Sequence, residues 1–78
     1  MKLGDVLKLK VQNVSMAISK DDIHESHTRY GTVIDISMHK EYAEVALIWN
    51  GTQLIDSSGL GEIRLRDGTR LLVKLDSE

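Results

Sequence analysis

The chain has 78 residues, a formal net charge of −2, 41% hydrophobic residues and no cysteine or proline. A chain this short makes one domain, residues 1–78, with a small core, because it buries only about 60% of its unfolded surface. Disulfides and thiolate metal sites are excluded, and the slightly acidic balance argues against a general nucleic-acid binder. Phenylalanine is absent, so the core has to be aliphatic, and Tyr30, Tyr42 and Trp49 are the aromatic residues. No stretch approaches the roughly 18–20 apolar residues that span a bilayer. Lys2, Leu3, Gly4 and Asp5 lack the apolar run of a signal peptide. The expectation is a cytoplasmic protein with no membrane association.

The first predicted element is a strand in "DVLKLKVQNV". Leu7, Leu9 and Val11 alternate with Lys8, Lys10 and Gln12, the period of two that makes one face apolar and the other wet. "SKDDIHESH" comes next. Ser19 is placed to cap a helical turn, with Asp21 and Asp22 near its positive end. A polar loop with at most one or two helical turns is expected. A strand "GTVIDISMH" starts at Gly31, and its residues Val33, Ile34 and Ile36 do not alternate. A bulge, or burial on both sides, explains that. In "AEVALIWNGTQLI", Ala43, Val45, Leu47 and Trp49 share a face, and Asn50-Gly51 reads as a type I′ hairpin turn. Such a turn would pair Trp49 with Thr52 and Leu47 with Leu54.

"DSSGLGEI" is irregular, with a short 3₁₀ turn expected around Ser58 and Gly59. The last element is a hairpin in "EIRLRDGTRLLVKL". A two-residue Asp67-Gly68 loop would put Arg70 and Lys74 on the face of Ile63 and Leu65. A three-residue loop, Asp67-Gly68-Thr69, pairs Leu65 with Leu71 and Ile63 with Val73 and keeps one face apolar. Gly68 is then expected at or beside a bulge. The other face would carry Arg64, Arg66, Arg70, Leu72 and Lys74.

Short strands without a long helix make the expected fold class mainly β, a small barrel of about five antiparallel strands. "GTVIDI" followed by "AEV" resembles the Gly-x-Val-x-x-Ile…Val-x-Val cadence of KOW-type segments. "VALIWNGT" resembles the Val-x-Trp-x-x-Gly-Thr hairpin of Tudor-like barrels, with one residue fewer before the glycine. Both belong to the SH3-like group, and the resemblance covers residues 31–65. It implies an SH3-like binding module. Ala43 stands where valine is usual, and residues 13–29 have no counterpart.

Residue chemistry points the same way. His24 and His27, at i and i+3, could share a helix face and take a third ligand from Asp21 or His39. The stretch is hydrophilic and lacks an apolar shell, so it reads as a solvated surface loop, and no metal or cofactor is expected. Ser57 and Ser58 lie outside any nucleophile elbow. Asp35 and Glu44 read as two solvent-facing carboxylates, and residues 59–61 are no phosphate loop. Trp49 and Tyr42 have opposite parity on their strand, which argues against an aromatic cage and for Trp49 as core or hairpin staple. These readings make the chain non-catalytic. The face of Arg64, Arg66, Arg70, Leu72 and Lys74 is the candidate contact surface for a protein partner. A homo-oligomer is expected separately, because a small barrel has a marginal core. Nucleic acid is the alternative partner, and a small metal-dependent enzyme is the alternative from another class.

Overall fold

The computed structural model describes residues 2–76. Five antiparallel strands form one sheet: β1 (Val6–Gln12), β2 (Gly31–Met38), β3 (Tyr42–Trp49), β4 (Leu60–Arg64) and β5 (Arg70–Leu75). Their order is β2-β3-β1-β5-β4. One helix, α1 (Lys20–His27), completes the fold. The fold is mainly β, as the alternation requires.

β1 is central because both of its edges find apolar partners. Leu7, Leu9 and Val11 stand opposite Leu47, Val45 and Ala43 of β3, and Val11 also stands opposite Val73 of β5. These residues are buried together with Ile63 and Leu71. Each such aliphatic side chain contributes about 1.5–3 kcal/mol on burial. Strand pairing does not close a barrel, since β2 and β4 are both sheet edges. Instead α1 packs against both edge strands. A helix of 8 residues is only about 12 Å long, so the sheet must coil strongly for one short helix to touch both edges.

Helix α1 begins as the sequence indicates. Ser19 accepts a hydrogen bond from the Asp22 backbone, and Asp22 accepts one from the Ser19 backbone, a reciprocal capping box. The expected solvated loop is corrected, however. Ile23 and His27, at i and i+4, fall on one face and are fully buried. Of the two alternatives for β2, a bulge and not burial on both sides is what forms: pairing with β3 shifts between Val33 and Asp35, leaving Ile34 exposed.

Two strand-pairing expectations are also corrected. The Asn50-Gly51 hairpin does not form, because β1 and β2 already occupy both edges of β3, and Trp49 pairs with Gly31. Gly51 has φ 92°, and Asn50 uses its side chain to accept from Thr52 N–H and donate to the Arg29 carbonyl. The hairpin that does form turns at Lys40-Glu41, with Glu41 at φ 71°. In the last hairpin the three-residue loop is Arg66-Asp67-Gly68, one residue earlier than expected. Leu65 donates to Thr69 O, Gly68 donates to Leu65 O, and Gly68 sits at φ 94°. The register therefore pairs Ile63 with Leu71 and Gly61 with Val73. A slip of two residues preserves the face of every side chain, so the division into apolar and charged faces is retained. The segment around Ser58-Gly59 is a hydrogen-bonded turn in which Gly59 N–H donates to Asp56 O.

Candidate interaction site

The revised register sets the outer face of the β4–β5 hairpin. Arg64 stands opposite Arg70, Glu62 opposite Leu72 and Leu60 opposite Lys74. Their inward neighbours Ile63, Leu71 and Val73 are buried, so these six point to solvent. Arg66 leaves the face: it lies in the turn, and its guanidinium donates to the Glu25 carboxylate of α1. Of the residues expected on this surface, Arg64, Arg70, Leu72 and Lys74 are brought together.

The basic surface extends across the sheet. Lys10 of β1 stands opposite Lys74. The Lys10 ammonium lies 4.7 Å from the centre of the Tyr42 ring, on which the His39 ring stacks at 4.6 Å. Lys10 is visible in the sequence only as a wet-face residue of its own strand. Nothing local could place it beside Lys74, because β1 and β5 are joined by long-range pairing.

Glu44 of β3 stands directly opposite Lys10, but few acids neutralise the cations of the hairpin itself. The Arg70 Nε lies 3.7 Å from Glu62 Oε1, beyond hydrogen-bond range. Arg64 and Lys74 make no ion pair among the described residues. Two apolar residues lie within this charged field, Leu72 at 40% and Leu60 at 38% exposure.

The remaining polar groups are occupied otherwise. His24 is exposed while His27 is buried, so the two do not converge on a common ligand site. His27 Nδ1 lies 2.8 Å from the Ile23 carbonyl oxygen and 3.1 Å from Ser26 Oγ. The Nδ1–H donates to the carbonyl, which leaves Nε2 as the bare nitrogen, and that atom is buried without a partner. Burial, the largest cause, together with the repulsion of His24, holds the His27 pKa below its ordinary 6.5, against the opposing bond to Ile23. Among the described residues no group of three or more His, Asp or Glu side chains could hold a metal ion.

His39 has a more suggestive neighbourhood, with Ser37 Oγ at 3.2 Å and Glu44 Oε1 at 2.8 Å. Both contacts meet the same atom, Nε2. A Ser-His-acid relay needs the serine and the acid on opposite ring nitrogens, so this cluster is no relay. Asp35 stands opposite Ala46 and Glu44 opposite Ser37, so those carboxylates are not a facing pair. Asp56 accepts from the Ser58 hydroxyl and from the Ser58 and Leu60 backbones, and these bonds, the hydroxyl first, hold its carboxyl below the usual range. Ser58 is thereby tied into the turn. The Trp49 indole donates to Thr52 O, and its Nε1 is likewise spent on a turn. No helix among the described residues is long and apolar enough to cross a membrane. Compared with known proteins, the chain matches no family model, no curated protein and no solved structure.

Proposed function

We propose that the chain is a non-catalytic interaction module of the SH3-like small-barrel type. It binds a protein partner through the outer face of β4 and β5, extended onto β1. The coiling of a five-stranded sheet under one short helix supports the small-barrel reading. The observation that carries the function is a doubled like-charge pairing, Arg64 opposite Arg70 and Lys10 opposite Lys74. Like charges placed directly opposite each other weaken a sheet, by an amount on the scale of the roughly 0.2–1 kcal/mol per cross-strand pair. A chain of net charge −2 has acids enough to avoid such pairs. Retaining two of them around exposed Leu72 and Leu60 suits a contact surface, where a partner supplies the missing anions and covers the leucines.

Nucleic acid is the second reading, because the same cations would attract phosphates. Glu62 and Glu44 interrupt the cationic track on this face, which favours a protein. A cytoplasmic location and self-association belong to the same proposal. The test places a photo-crosslinking amino acid at Leu72 and, as a control, at exposed Thr32 on the opposite sheet edge. A discrete adduct from Leu72 and none from Thr32 is the expected result in the native cell. Equal labelling from both positions would sink the assignment of this face.

A further inference from the structure

Resting on the reading of the β4–β5 face as a contact surface, we infer that its partner is an acidic protein segment. One carboxylate of that segment lies between Arg64 and Arg70, and Glu62 is the chain's own stand-in for it. Glu62 is two residues before Arg64 on the same strand and lies diagonally across from Arg70. Its carboxylate approaches only the Arg70 Nε, at 3.7 Å, with the two side chains 58% and 63% exposed. So long and solvated a contact is weak. Arg64 makes no ion pair among the described residues, although Asp22 and Glu25 line the same surface pocket. An incoming carboxylate can accept two parallel N–H bonds from one guanidinium and be shared with the other, which the distant Glu62 does not achieve. It would relieve the Arg64–Arg70 repulsion as it bound.

The surroundings specify more than charge. Leu72 stands directly opposite Glu62, and Leu60 is two residues before Glu62. A partner residue flanking the carboxylate therefore meets an aliphatic surface. An extended segment with acidic and aliphatic side chains close together fits both features. A nucleic acid offers phosphates at every step, but nothing aliphatic larger than a thymine methyl for Leu72 and Leu60, and Glu62 would repel it.

The experiment is a fluorescence-anisotropy titration at low salt with three labelled probes. These are a peptide alternating Glu and Leu, the same peptide with Gln for every Glu, and oligo-dT. The proteins are the wild type and the Glu62→Gln, Glu44→Gln, Arg64→Gln and Leu72→Ala chains. Glu62→Gln should bind the Glu–Leu peptide about two- to fivefold tighter and Arg64→Gln weaker by a similar factor, the range of an exposed ion pair. Glu44→Gln removes the same charge from the same side of the sheet, away from the arginine pair, and should change affinity less than Glu62→Gln. Leu72→Ala should also weaken the peptide, and the Gln peptide should bind far less well. The inference is overturned if Glu62→Gln leaves affinity unchanged or lowered, if Glu44→Gln matches it, or if oligo-dT binds more tightly than the Glu–Leu peptide. If no peptide binds while crosslinking from Leu72 succeeds, the carboxylate inference fails and the contact surface stands. If that crosslink is missing as well, both fall.

Discussion

Arg64 of β4 and Arg70 of β5 are cross-strand partners, so two guanidinium groups leave the same face of the sheet side by side just before the chain turns. Within the folded chain this placement is a cost, and it predicts that stability and binding separate. Arg64→Glu turns a repelling pair into an attracting one and should raise unfolding free energy by about 0.5 kcal/mol, read from the urea midpoint. The same variant should lose the crosslink from Leu72. A variant that is less stable than the wild type would mean the two arginines do not repel.

His27 predicts a pH dependence with a definite sign. Its imidazole is buried against the Ile23 carbonyl with Nε2 unpartnered, and burial depresses its pKa below 6.5. The unfolded chain therefore takes up a proton at a higher pH than the folded chain does. The His27 contribution to stability is fully present above pH 6.5 and is lost as pH falls from there toward the folded value. Urea unfolding above and below that pH should show the loss in the wild type. His27→Leu should remove this component of it. An equal loss in the variant would exonerate His27.

Two glycines in strands are fixed by close approach of another backbone. A Cβ at Gly31 would collide with the Ile48 carbonyl oxygen, and one at Gly61 with the Leu54 carbonyl oxygen. Gly31→Ala and Gly61→Ala should each cost about 1–3 kcal/mol or more, since the obstacle is main chain and cannot rotate away. Thermal unfolding of both variants beside Thr32→Ala, an exposed neighbour, makes the comparison.

Ser19→Ala removes the side-chain half of the capping box and should cost about 1 kcal/mol. Because α1 packs against both β2 and β4, the loss should reach beyond the helix. Amide hydrogen exchange in both edge strands should accelerate while that of β1 does not. Acceleration confined to α1 would show that the helix is not what protects the edges.

Much of this arrangement is legible in the sequence. The alternation of Leu7, Leu9 and Val11 gives β1 and its buried face, and the broken alternation around Ile34 marks the irregular strand without distinguishing a bulge from burial on both sides. The failures have one physical origin, competition between local and distant partners. Asn50-Gly51 is a strong local hairpin signal, but it lost because β3 already had β1 and β2 on its two edges. Lys10 joined the basic face through a strand partner that no local pattern discloses. Arg66 shares the parity of Arg64, yet a loop one residue earlier took it into the turn and toward Glu25. The burial of His27 was within reach: Ile23 is the aliphatic residue of its helix, and His27 lies one turn beyond it on the same side.

The central position of β1 sets the order in which the fold can be completed. β1 is synthesised before β3 and β5, its two neighbours, and the pairing of Leu9 with Leu75 and Val11 with Val73 waits for the residues of β5. Until then an apolar strand has one edge open to any other strand it meets. Such long-range pairing slows folding compared with a helical domain of equal length. The nascent chain is thus most prone to aggregate in the interval before β5 leaves the ribosome, and a chain interrupted between β4 and β5 would keep that open edge permanently.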